Sequence, residues 1–90
     1  MAKAVADPDE LRHFAHALKK FTGRLQGEMT AMQGALSNLG GTWRDQEFQK
    51  FASEFEDTMR QLQRFGVSCE EHVPFLLRKA DKLDEYLQQR

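Results

Sequence analysis

The chain has 90 residues, a formal net charge of -1 at pH 7 and 40% hydrophobic residues, which indicates one folded domain rather than a disordered chain. This near-balance of charge gives no electrostatic reason to expect binding to nucleic acid or to an anionic membrane surface. No apolar run approaches the length of a membrane span. The single cysteine, Cys69, excludes an internal disulfide.

Low proline content and many Leu, Gln, Glu, Lys, Arg and Ala residues favour helices, so we predict an all-α fold. The first seven residues lack the apolar core of a cleaved secretion signal. The sequence therefore predicts a protein that either stays in the cytoplasm or is secreted without a cleaved signal peptide.

A first helix is predicted over about residues 8 to 39. Asp7 can cap its first N–H groups, and Pro8 suits the first helical position. Apolar residues recur at steps of three, four or seven and form one stripe on the helix surface. The stripe contains Leu11, Phe14, Leu18, Phe21, Leu25, Met32 and Leu39.

A turn is predicted over about residues 40 to 43, followed by a second helix over about residues 44 to 88. Gly40 and Gly41 are expected to end the first helix through a left-handed backbone conformation. Thr42 is expected to cap the second helix, with Asp45 as the acid of a capping box.

The second helix shows the most regular pattern in the chain, an apolar seam with alternating steps of four and three residues. Three aromatic residues, Phe51, Phe65 and Tyr86, lie one position beside this seam. The seam consists of Phe48, Ala52, Phe55, Met59, Leu62, Gly66, Cys69, Val73, Leu76, Ala80, Leu83 and Leu87.

Two features interrupt the second helix in sequence. Pro74 removes one backbone donor, and Ser68 begins a segment that resembles a capping box. Because the seam continues in phase, we predict one long helix with a kink near residues 70–74, in preference to a separate third helix.

A short connection between two long helices forces an antiparallel two-helix hairpin. Such a hairpin is one thin layer, so its aromatic flank stays partly exposed and marks an association surface. We predict a homodimer that forms a four-helix bundle; a monomer with an apolar flank is the alternative. The residues predicted for the core and the dimer contact are Phe14, Leu18, Phe21, Leu25, Phe48, Phe51, Phe55, Met59, Leu62, Phe65, Val73 and Leu76.

The segment Leu39-Gly40-Gly41-Thr42-Trp43-Arg44-Asp45, with Phe48, Phe51 and Phe55 after it, resembles the WXG family. These ESAT-like proteins are helical hairpins of about one hundred residues that type VII (ESX) secretion exports. The resemblance covers about residues 7 to 89. It implies a protein–protein interaction module whose partners are a second copy, another WXG-like protein or the secretion machinery.

Two positions depart from the family pattern. The motif glycine two residues after Trp43 is Asp45 here, a residue that caps helices well. The family's export signal places an acid four residues after a tyrosine, whereas Tyr86 is followed at that spacing by Arg90. Export together with a partner is therefore an alternative to autonomous export, and a cytoplasmic structural or adaptor protein is the alternative to a role in secretion.

No motif in the sequence indicates an enzyme, and we predict no catalytic, cofactor or metal site. Cys69 and His72 on the second helix come level with His13 and His16 on the first, and zinc accepts such ligands. However, the tight spacing of a zinc motif is missing, so we interpret Cys69 as a small apolar residue of the seam.

Overall fold

The computed structural model describes residues 6–89, and these residues form two α-helices joined by a turn. Helix α1 spans Pro8–Leu39 and helix α2 spans Gln46–Gln88. The helices pack side by side in opposite directions, in a rod of 69 × 18 × 16 Å. The predicted all-α antiparallel hairpin is confirmed.

Helix α1 begins as its sequence predicts and ends differently. The Asp7 carboxylate accepts a hydrogen bond from the Asp9 backbone N–H at 2.9 Å, with Pro8 at the first helical position. At the other end, Gly40 has φ -64° and ψ -17°, a right-handed conformation, and no residue of the described range has a positive φ. The predicted left-handed glycine cap is wrong because the chain leaves α1 through further right-handed turns, with Gly41 N–H bonded to Asn38 O at 3.0 Å.

Helix α2 begins at Gln46, with Asp45 as its N-cap. The prediction that Thr42 caps α2 is wrong, because its hydroxyl points back and donates to the Leu39 carbonyl at 3.3 Å. From Gln46 the helix runs without a break through Gly66 and Pro74. A third helix beginning near Ser68 is thereby excluded.

The interior of the hairpin is a narrow seam between the two helices. On α1 the buried residues recur every seven positions, at Pro8, Ala15, Thr22 and Met29. On α2 the buried residues are Met59, Cys69 and Ala80. No large side chain among residues 6–89 is fully buried. Each helix has a neighbour on one side only, so the core is one side chain deep.

Arg12 joins the two helices near the open end of the hairpin. Its guanidinium donates to the Asp81 carboxylate at 2.9 Å and also to Asp84. The hydrogen bond to Asp81 makes the largest contribution to raising the pKa of Arg12 above its ordinary value, and the hydrogen bond to Asp84 makes the next largest. These charged hydrogen bonds between α1 and α2 favour one axial alignment of the two helices over alignments in which one helix has slid along the other.

Candidate interaction surface

Trp43 lies in the turn, half-buried against the first residues of α2. Its indole Nε1–H donates to Oδ1 of Asp45 at 2.8 Å. The ring packs edge-on against Phe48, with 5.5 Å between centroids, and lies at a tilt against Phe51 at 5.7 Å. These three contacts hold the indole over the start of α2.

The same oxygen of Asp45 caps α2. Oδ1 accepts from the backbone N–H of Glu47 at 3.0 Å and of Phe48 at 3.3 Å, in addition to the indole. A carboxylate at this position satisfies donors that lack helical partners and lies at the positive end of the helix dipole. Asp45 therefore couples the orientation of Trp43 to the start of α2.

Gly40 makes room for this arrangement. A Cβ atom on Gly40 would lie 2.9 Å from Cζ of Phe48, closer than such contacts normally come. Gly41 contributes its carbonyl, which accepts from Nε of Arg44 at 2.9 Å. Glycine at position 40 thus allows the close approach of an aromatic ring, whereas its right-handed backbone angles do not require glycine.

One side of the hairpin carries a row of exposed aromatic rings, which we call the aromatic flank. The rings of Phe21 and Phe65 meet across the two helices, edge to face, at 6.2 Å. The six side chains are between 40% and 67% exposed. The flank consists of Phe14, Phe21, Phe51, Phe65, Phe75 and Tyr86.

The opposite side of the hairpin is mainly polar, with Val67 as an exposed apolar residue on it, and we call it the polar flank. Seam positions face the other helix, so the residues before and after them point to opposite sides of the hairpin. The residues directly after Leu11, Leu25 and Leu62 point to the polar side. Phe14, Phe21 and Phe65 directly precede seam positions and point to the aromatic side. The polar flank consists of Arg12, Gln26, Gln33, Glu56, Gln63, Glu70 and Asp84. The hairpin is therefore two-sided.

The residues predicted for the core and the dimer contact separate into two sets. The first set faces the interior and is buried or half-buried, and it includes Leu18, Leu25, Phe48, Phe55, Met59, Leu62, Val73 and Leu76. The second set, Phe14, Phe21, Phe51 and Phe65, belongs to the aromatic flank. Sequence reasoning missed Ala15 and Thr22, which lie inside the hairpin directly after Phe14 and Phe21. The spacing of seven from Pro8 to Met29 was the signal for both.

The other sequence features do not form a site within residues 6–89. No group of three or more His, Cys, Asp or Glu side chains there is arranged to hold a metal ion. Cys69 is buried in the seam, and His72 is exposed. Neither α1 nor α2 is long and apolar enough to span a membrane. Arg90, at the export-signal spacing after Tyr86, and the extreme N-terminus lie outside the described residues.

Comparison with known proteins places this hairpin in a family. The family model WXG100, described as proteins of 100 residues with WXG, matches residues 5–86. Because this match covers most of the chain, the protein belongs to the WXG100 family of ESAT-like proteins, as the residues around Trp43 predict. No curated protein matches the chain.

Solved structures of one protein share the fold. The wild-type secreted protein EsxB from Bacillus anthracis str. Sterne is 29% identical with a TM-score of 0.79, over 92% of this chain and 89% of that chain. A proline-to-alanine mutant of EsxB is 28% identical with a TM-score of 0.82, over 94% and 96% of the two chains. The structural similarity therefore covers nearly the whole of this chain and nearly the whole of the EsxB chain.

Proposed function

We propose that this protein is a non-enzymatic interaction module that dimerises through its aromatic flank into a four-helix bundle. The observation that carries the proposal is the contrast between the two sides of the rod. Six half-exposed rings line one side, whereas the other is lined mainly by amide and charged side chains, with Val67 among them. Exposed apolar patches of this size on soluble proteins mark binding surfaces.

The size of the flank suits a second hairpin. Burying the exposed half of six rings removes on the order of 600 Å² of apolar surface from water on each protomer. Stable protein–protein interfaces bury about 800 Å² on each partner. A second hairpin also gives each helix a second neighbour, which is the arrangement of a four-helix bundle.

We propose a second copy of this chain as the partner, since the aromatic flank is complementary to itself in chemistry. A heterodimer with another WXG-like protein is the competing outcome. A pull-down from the native host followed by mass measurement of the complex distinguishes the two, because a second protein species of similar length identifies the heterodimer.

The experiment that tests the flank compares Phe65→Asp with Gln63→Asp. Both place one carboxylate near the middle of α2, the first on the aromatic flank and the second on the polar flank. Chemical cross-linking and size-exclusion chromatography should show a dimer for the wild type and for Gln63→Asp, and a helical monomer for Phe65→Asp. Dimers that survive Phe65→Asp would place the interface elsewhere.

We further propose that the chain is exported without a cleaved signal peptide, by a type VII system and with its partner. Family membership and the likeness to the secreted EsxB support this proposal. Fractionation of the native host should find the protein in the culture medium, with a cytoplasmic marker retained in the cells. Retention of the dimer inside cells would favour the alternative, a cytoplasmic structural or adaptor protein.

A further inference from the structure

The outer face of α2 carries a second pattern, separate from the aromatic flank. Six exposed charged residues recur every seven positions, and their sign alternates at each step. A seam position lies two residues before and two residues after each of them, so each points directly away from α1. We call this row the outer ladder; it consists of Lys50, Asp57, Arg64, Glu71, Arg78 and Glu85.

The seven-residue spacing of the outer ladder does not itself create pairs within α2, although Asp57 accepts from Arg60 of the same helix. Charged pairs stabilise a helix at separations of three or four residues, whereas residues seven apart lie about 10.5 Å from each other along the axis. The two central residues, Arg64 and Glu71, have no opposite charge three or four positions away in either direction. Neither forms an ion pair with any residue in the range 6–89.

The ladder is complementary to itself in one orientation. When two α2 helices lie antiparallel, about a two-fold axis between residues 67 and 68, every position meets its opposite in charge. Arg64 then faces Glu71 of the second copy. The next rungs pair Asp57 with Arg78 and Lys50 with Glu85. A parallel pair in register would instead place like charges opposite each other at all six positions.

An exposed apolar residue lies where this axis passes. Val67 is 47% exposed and lies at the border between the outer face and the polar flank, beside Gln63 and Glu70. In the antiparallel pair, Val67 comes level with Ser68 of the second copy and lies one residue from its Val67, with Arg64 and Glu71 on either side. The centre of the contact is thus formed by small uncharged side chains with charged residues around it, as in interfaces whose centre is depleted in charge.

We infer that the outer ladder binds the outer ladder of a second copy in antiparallel orientation. This face points away from α1, whereas the aromatic flank lies to one side, so the two contacts use different faces of α2, with Phe75 at the border between them. Each protomer then has two different two-fold contacts, which link aromatic-flank dimers into larger assemblies. Because exposed ion pairs are individually weak and are screened by salt, this second association forms at low ionic strength.

Charge reversal tests the orientation directly. Arg64→Glu alone and Glu71→Arg alone each place like charges at the centre, so each variant should lose low-salt assembly. An equal mixture of the two variants restores both central pairs in mixed contacts, and the double variant Arg64→Glu/Glu71→Arg restores them between identical chains. Lys20→Glu, the same charge change as Arg64→Glu on the exposed surface of α1, is the matched control.

Sedimentation velocity at about 0.01 M salt, where charges act over about 30 Å, and at about 1 M salt, where they act over about 3 Å, provides the readout. We expect the wild type, the control, the mixture and the double variant to sediment faster at low salt, and the single variants to lose this shift. Single variants that assemble as the wild type does, or a mixture that stays unassembled, would overturn the inference. A wild type that is monomeric at high salt would refute the aromatic-flank dimer and not the ladder contact. The ladder contact is tested separately, by comparing the variants at low salt.

Discussion

The indole nitrogen of Trp43 and one carboxylate oxygen of Asp45 lie 2.8 Å apart, and that oxygen also accepts two backbone N–H groups at the start of α2. Asp45 occupies the position of the motif glycine in the WXG family. The substitution adds an interaction that glycine lacks, because glycine has no side chain to cap a helix or to accept from an indole. The tip of this hairpin is therefore held by polar contacts as well as by stacked rings.

Asp45→Ala should lower the free energy of unfolding by about 1–3 kcal/mol, since it removes a helix cap and the acceptor of the indole. Asp45→Asn should lose less, because its amide oxygen can still accept. Urea denaturation followed by circular dichroism measures both variants. Equal losses for Ala and Asn would show that the negative charge, rather than the acceptor oxygen, supplies the stabilisation.

Trp43→Ala should loosen the tip of the hairpin without abolishing helix content, because both helices keep their seam contacts beyond the turn. Trp43→Phe is the matched variant, which keeps a ring against Phe48 and Phe51 and loses the indole donor. Far-ultraviolet circular dichroism should show near wild-type helicity for both, and amide hydrogen exchange should show faster exchange near the turn for the alanine variant. Complete unfolding of Trp43→Ala would contradict this account.

Gly40→Ala should destabilise the protein, because its Cβ atom would lie 2.9 Å from the ring of Phe48. Gly34→Ala is the control, since a Cβ atom there meets nothing within 4 Å. That control should stabilise α1 by about 0.5–1 kcal/mol, the usual advantage of Ala over Gly inside a helix. In thermal denaturation, the midpoint of Gly40→Ala should therefore fall and that of Gly34→Ala should rise. A rise in both midpoints would show that the ring of Phe48 moves aside freely.

Ala15→Leu should cost about 1–3 kcal/mol, because it forces a larger side chain into the seam. Ala15 is 0% exposed. Ala17→Leu makes the same change at an exposed position of α1 and should have little effect. Urea denaturation of the pair measures the difference, and similar midpoints would mean that the seam does not run through Ala15.

The second helix was the more predictable part of the hairpin. Its interior positions are apolar from Phe48 to Leu83, so their alternating spacing shows directly in the sequence. On α1 two interior positions are less distinct, because Thr22 is polar and the alanine type of Ala15 also occurs at the exposed Ala17. The hydroxyl of Thr22 is satisfied by the Lys19 carbonyl at 2.9 Å, so a polar residue is accommodated there.

The turn was less predictable, since its conformation depends on contacts between residues that are not neighbours in sequence. The ring of Phe48 approaches Gly40, and Asp45 takes the capping position that local pattern assigns to Thr42. The aromatic flank was partly predictable, because Phe51 and Phe65 lie beside the seam. That Phe21 joins the same side required the structure, where its ring meets Phe65.

Sedimentation equilibrium of the purified wild-type protein, at salt high enough to screen the outer ladder, tests dimerisation through the aromatic flank most directly. We expect a mass of twice the 10.4 kDa of one chain, together with a single-chain mass for Phe65→Asp. A folded wild-type protein with the mass of one chain, its six rings left in water, would contradict it.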